Sequence, residues 1–254
     1  MTSDSNTTTQ SYGYIIFTAC FTIQAVGIGS YVAYGVFFNA LMSEFQWSRA
    51  AISGASSLGF FMMGFVGMLI GRLNDQYGPR LLMSVTSLFF GAGLILMSQV
   101  NSLLQLYIFY GVLLGIGLSS VDVIALTTIA RWFSLRRGAM TGLVKVGTGA
   151  GQFTIPLIAS YLIGAVGWRH TYLIIGLAAS LILFGVAQTL KRDPHEFQRT
   201  KRRADLAGQQ INDHETGSIS FEKTRKTYQF WNLCIVNFLV IFLSLIHISE
   251  PTRR

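Results

Sequence analysis

Six long apolar runs, at residues 14–40, 50–70, 81–100, 104–129, 138–164 and 171–190, leave this chain few folds to choose from. A helix needs about 20 apolar residues to cross the hydrocarbon of a bilayer, and each run is that long. Inside hydrocarbon every backbone N–H and C=O must be paired within the structure, which restricts spanning segments to helices and closed barrels. Runs this continuous read as helices. A seventh begins near Phe230. The links, at 42–49, 71–80, 101–102, 130–137 and 165–170, are short, so consecutive helices are antiparallel neighbours. The expected fold is an all-α polytopic membrane protein: a six-helix transmembrane bundle plus a truncated seventh span.

Composition agrees. The chain is 51% hydrophobic and only 12% charged, with a mean hydropathy of +0.49, whereas a soluble domain carries about 25% charged residues. A net charge of +8 invites a nucleic-acid partner, but the placement of the charge excludes it. Counted over loops, fourteen Lys and Arg fall on one face of the bundle and two, Arg49 and Arg169, on the other. That asymmetry is the positive-inside signal. It predicts a multi-pass protein of the cell or inner membrane with a cytoplasmic N-terminus, partnered by the lipid bilayer and by no nucleic acid. Cys20 and Cys234 lie within apolar runs, where they read as small packing residues rather than a disulfide.

The organisation follows. Residues 1–13 form a polar cytoplasmic tail, 14–190 the six-helix bundle, and 191–229 a cytoplasmic linker with nine Lys and Arg, six acidic residues and no apolar periodicity. A partial seventh span occupies 230–243. The tail 244–254 sets His247, Glu250, Pro251, Arg253 and Arg254 where a span would continue, and is expected to be non-native sequence.

The link Gly71-Arg72-Leu73-Asn74-Asp75-Gln76-Tyr77-Gly78-Pro79-Arg80 reads as a tight water-exposed loop. Gly71 and Gly78 permit backbone turns closed to other residues, Pro79 stops the second span, and Asp75 is placed to pair with Arg80 or sit at a helix N-terminus. A short repeat accompanies it. Ser48-Arg49-Ala50-Ala51 opens span 2 and Arg136-Arg137-Gly138-Ala139 opens span 5, while Gly78-Pro79-Arg80 and Gly167-Trp168-Arg169 follow those spans, at offsets of 88 and 89 residues. An odd number of spans separates the copies, so they point in opposite directions, an inverted three-plus-three repeat.

The pattern Gly-x-Leu-x-Asp-x-x-Gly-x-Arg at 71–80 resembles the loop between helices 2 and 3 of major facilitator superfamily transporters. Several stretches are similar to the monocarboxylate-transporter and oxalate/formate-antiporter branches: Arg131 to Gly142 with Gly147 and Gly151, Tyr34 to Phe38, Glu44 to Arg49, and Phe230 to Leu233. The resemblance covers about 30–240 and corresponds to the N-terminal half of such a transporter. It implies a missing C-terminal six-helix half, and it puts Gly71, Asp75, Gly78, Arg80, Arg136 and Arg137 among the residues that gate the cytoplasmic side. Two departures stand out. Helix 1 reads Gln24-Ala25-Val26-Gly27-Ile28-Gly29 in place of an acidic-glycine signature, and helix 4 has Gly111 where other branches carry Arg.

Asp122 and Lys145 are the ionisable acid and base well inside the six spans. A charge at the centre of a spanning helix costs about 2.5–3.5 kcal/mol on the insertion scale, which makes each a functional candidate. Asp122 precedes Arg131 by nine residues and Lys145 follows Gly138 by seven, so they lie about 14 and 10 Å from the same end of the bundle. Helices 4 and 5 are hairpin neighbours, so the two charges are expected to meet as an ion pair, static or switchable, with Lys145 attracting a substrate carboxylate. Tyr34 and Gln152 are further hydrogen-bonding candidates for that anion. No phosphate loop or metal-ligand cluster appears, so neither an enzyme nor a cofactor is expected. The expected function is secondary active, alternating-access transport of a small organic anion such as a monocarboxylate, oxalate or formate. The alternatives are a receptor- or scaffold-like membrane protein on the same bundle and a transporter of an unrelated small solute.

Overall fold

A computed structural model describes residues 3–133 and 136–192. The seventh span, the linker beyond residue 192 and the tail 244–254 lie outside the described residues. Six helical spans there are long and apolar enough to cross a membrane: Tyr12–Phe45, Arg49–Tyr77, Pro79–Met97, Leu103–Trp132, Arg137–Val166 and Trp168–Thr189. Span 1 comprises α1 (Ser3–Val32) and α2 (Tyr34–Phe45), parted at Ala33. Spans 2 and 3 are α3 (Arg49–Tyr77) and α4 (Pro79–Met97). Span 4 joins α5 (Leu103–Leu106), a π-helical stretch Tyr107–Leu114 and α6 (Gly115–Trp132), and spans 5 and 6 are α7 (Arg137–Val166) and α8 (Trp168–Thr189). Helix α1 begins at Ser3, so regular structure extends into the segment the sequence reads as a tail.

The links are tighter than the sequence suggests. The 71–80 segment is not a loop: α3 runs through Gly71 to Tyr77, α4 starts at Pro79, and Gly78 alone stands between them. Gly78 turns the chain with φ 82° and ψ 164°, a region that favours glycine. Pro79 therefore opens α4 at its first position, where its missing N–H is no loss, rather than closing α3. Likewise only Gly167, at φ 82° and ψ 161°, separates α7 from α8. At the starts of α3 and α5 side chains cap the helix. Ser48 Oγ accepts from the Ala51 N–H at 3.2 Å, and Ser102 Oγ from that of Gln105 at 3.3 Å, while the Gln105 side chain accepts from the Asn101 N–H at 2.8 Å.

Packing follows the inverted repeat. Span 1 packs chiefly on span 5, span 4 on span 2, and span 3 on span 6. Glycine permits the close approaches, as small residues do in membranes. A Cβ at Gly151 would strike the backbone of Ala25, and one at Gly115 would lie 2.8 Å from the Gly59 carbonyl. The two arginines that open spans 3 and 6 behave alike. Arg80 donates to Gln188 Oε1 at the end of α8 (2.9 and 2.8 Å), and Arg169 donates to the Ser98 carbonyl and Asn101 Oδ1 beyond the end of α4 (3.1 and 3.2 Å). Arg169 also pairs with Glu44 Oε1 at 2.8 Å, and Trp168 Nε1 donates to Glu44 Oε2. Spans 2 and 5 are the least buried, with Phe60, Phe61, Phe65 and Met68 on one and Phe153, Leu157, Ile158 and Tyr161 on the other pointing outward. Such surfaces suit hydrocarbon or another bundle and not water.

Candidate functional site

Within the bundle, spans 1, 4 and 5 converge on one polar cluster. Asp122 projects from α6 and Lys145 from α7, and Lys145 Nζ lies 2.6 Å from Asp122 Oδ1. Gln24, a fully buried residue of α1, donates from Nε2 to the same oxygen at 2.7 Å. Gln24 Oε1 in turn accepts from Thr148 Oγ1 at 2.8 Å. Four side chains thus form a continuous chain of hydrogen bonds, and each buried polar atom of Gln24 has a partner. The two charges are not sealed in: the Asp122 side chain is 30% exposed and that of Lys145 42%. Lys145 has three donors, of which one faces Asp122, so the ammonium can hold a second anion at the same time as, or instead of, the carboxylate.

Gln152 stands on the same face of α7 as Lys145, seven residues and about two turns further on, since 3.6 residues make a turn. It is exposed, about 10 Å along the helix axis from Lys145, and makes no hydrogen bond to the cluster. Tyr34 is elsewhere. It is buried, its hydroxyl donates to the Ile52 carbonyl at 2.9 Å, and its ring stacks on Tyr110 with centroids 4.0 Å apart. Its hydroxyl proton is therefore engaged in binding span 1 to span 2 and not in the Asp122 cluster. Tyr31 is bound similarly, donating to the Ser56 carbonyl at 2.7 Å.

The residues read as gating gather at one end of the bundle. Asp75 lies in the last turn of α3, not at a helix N-terminus, and its partner is Arg131 rather than Arg80, with Arg131 Nη2 to Asp75 Oδ1 at 2.6 Å. Arg80 is committed to Gln188. Gly71 sits in the interior of α3 with nothing within 4 Å of an added Cβ, so no turn requires it, whereas Gly78 makes the reversal. Arg136 and Arg137 occupy the N-cap and first position of α7 and are exposed. The start of a helix disfavours cations by about 0.3–1 kcal/mol. These arginines stand there for a reason other than helix stability, and the repeat-related Arg49 begins α3 in the same way.

Three features escaped the sequence. Thr148 gave no signal, because one threonine among glycines in an apolar helix is ordinary. Gln24 is visible as a polar residue in span 1, but its tie to Asp122 depends on a contact 98 residues away. The Glu44–Arg169–Trp168 clamp joins spans 1 and 6 across 124 and 125 residues, beyond any local pattern.

Two inverted triplets of spanning helices, with a charged cluster inside, define an integral, multi-pass membrane protein of transporter architecture. The profile of the Major Facilitator Superfamily matches residues 18–249, and the chain belongs to that superfamily, whose members are transporters and not enzymes. It is 26% identical over 175 residues to human monocarboxylate transporter 7, covering 68% of this chain and 34% of that protein. It is 27% identical over 180 residues to monocarboxylate transporter 13 of Bos taurus, covering 71% and 42%. With human monocarboxylate transporter 1 the identity is 32% over 162 residues, covering 60% and 32%. The chain spans about a third to two-fifths of the length of these curated relatives. In fold it is similar to the xylose transporter XylE from E. coli in its inward-open conformation, at a TM-score of 0.59 and 14% identity over 77% of this chain and 51% of that one. At that identity the likeness speaks for the fold alone.

Proposed function

We propose that this chain supplies one bundle of a secondary active transporter that moves a small organic anion, such as a monocarboxylate, oxalate or formate, by alternating access. The observation that carries this reading is the Asp122–Lys145 pair, held inside the bundle yet part-exposed. A charge that deep is costly unless paired or used. When a substrate carboxylate arrives, Lys145 exchanges Asp122 for it, and Asp122 reclaims the ammonium to release the anion or takes up a proton. Gln152, two turns along the same face of α7, offers an amide on the path of the same substrate. The kinship to monocarboxylate transporters supports a carboxylate as cargo.

In this reading the N-terminus and the 71–80 turn face the cytoplasm. Gly71, Asp75, Gly78, Arg80, Arg136 and Arg137 form one side of a gate that closes against a second six-helix bundle, the two bundles rocking about the midplane site. Uptake of radiolabelled oxalate, formate and pyruvate into proteoliposomes carrying this bundle together with its second six-helix bundle tests the reading. Saturable, mutually competitive uptake of at least one is expected; absence of uptake of all three contradicts it.

A further inference from the structure

Gln24 is a polar residue in a place where an apolar one would pack. It is fully buried, and its buried neighbours on α1 are Ile16, Ala19, Cys20 and Ile23. A buried amide is tolerated only where its groups are bonded, and here the bonding also fixes which way the amide points. A carboxylate accepts and does not donate, so Nε2 must face Asp122, and Oε1 must face a donor, which Thr148 provides. Thr148 gives up the usual helical bond to do so. Thr18, Thr22, Thr154 and Thr171 all donate to the carbonyl four residues back, whereas the Thr148 hydroxyl donates to Gln24. Asp122 Oδ1 consequently takes two donors, one mobile on the long Lys145 stem and one fixed on α1.

We propose that Gln24 is a positioning residue for this site: its amide, pinned by Thr148, holds the Asp122 carboxylate in place when Lys145 turns away to a substrate carboxylate. The proposal rests on the reading of Lys145 as the anion-binding group. Without Gln24, Asp122 has only Lys145 to bond at Oδ1, so the pair opens at greater cost and substrate competes poorly for the ammonium. Gln24 therefore acts on substrate affinity through Asp122, not by touching substrate.

The test uses the two-bundle transporter, this chain completed by its second six-helix bundle, reconstituted in liposomes, with pyruvate as the probe. The carboxylate stretching band of Asp122 is isolated as the infrared difference between the protein and its Asp122→Asn variant. Thr148→Val and Gln24→Leu are expected to shift that band, and Thr148→Ser, which keeps the hydroxyl, to leave it unmoved. In Thr148→Val the KM for pyruvate is expected to rise about tenfold with little change in maximal rate, the effect of loosening one hydrogen bond to a charged group. In Thr148→Ser it stays at the wild-type value. A Thr148→Val variant with the wild-type band, or with a shifted band and an unchanged KM, overturns the proposal. If Lys145→Ala keeps wild-type pyruvate uptake, the anion-site reading itself fails, a result distinct from either of those.

Discussion

Gly78 and Gly167 adopt the same backbone conformation, φ 82° with ψ 164° and φ 82° with ψ 161°, 89 residues apart. Each is the single residue between two antiparallel spans, and each is followed within two residues by an arginine that bonds the far end of the opposite span, Arg80 to Gln188 and Arg169 to Ser98 and Asn101. The inverted repeat is therefore a repeat of turn chemistry as well as of helix order.

Substitution at these turns is expected to act through the backbone alone. Nothing lies within 4 Å of a Cβ built at either glycine, yet positive φ strains any other residue. Gly78→Ala and Gly167→Ala should each lower stability by about 1–2 kcal/mol, read as a fall in the melting temperature of the detergent-solubilised protein. Gly71→Ala, inside α3 with open space above it, should raise that temperature slightly, since alanine suits a helix better by about 1 kcal/mol. Equal effects at Gly71 and Gly78 would contradict the assignment of the turn.

That contrast marks what the sequence could and could not say. Run length alone located the six spans, because the requirement for internally paired backbone in hydrocarbon leaves no other structure for them. The meeting of Asp122 and Lys145 was legible because two charges at similar depth on hairpin neighbours have few other partners. Link lengths were not legible. Gly71 to Arg80 looks like a loop by its polarity, but a helix end exposed to water is equally polar, and one positive-φ glycine suffices to reverse the chain. The partners of Asp75 and Gln24 depend on how α3, α6, α1 and α7 are set side by side, which no local pattern encodes.

Spans 1 and 5 approach closely because α7 presents bare backbone. Gly151→Ala should drive a methyl group into the Ala25 carbonyl and separate the helices, costing about 1–3 kcal/mol. Gly149→Ala, two residues away with nothing within 4 Å, should be neutral or mildly stabilising. Thermal melts of the two variants check the pair, and similar losses in both would refute the packing described for α1 and α7.

Asp75 and Arg131 make an exposed pair, their side chains 63% and 32% accessible. Such pairs contribute about 0–1 kcal/mol and are screened by salt. Asp75→Asn is accordingly expected to leave the melting temperature within about 4 °C of wild type. If the pair belongs to a gate, the same variant should reduce transport rate several-fold at unchanged stability. A variant with a normal rate removes Asp75 from the gate.

In the proposed mechanism Lys145 binds the substrate anion and Asp122 is its exchange partner. Uptake of pyruvate, oxalate and formate in proteoliposomes carrying the complete two-bundle transporter, as wild type, Lys145→Ala and the swap Asp122→Lys with Lys145→Asp, tests this directly. Lys145→Ala is expected to lose uptake by at least about tenfold, because the unpaired Asp122 then repels the anion. The swap is expected not to recover uptake either, because it moves the cation to α6, against the Gln24 amide N–H that bonds Asp122 in the wild type. Full uptake with unchanged pH dependence in Lys145→Ala would contradict the mechanism and reduce the pair to a structural tie between α6 and α7.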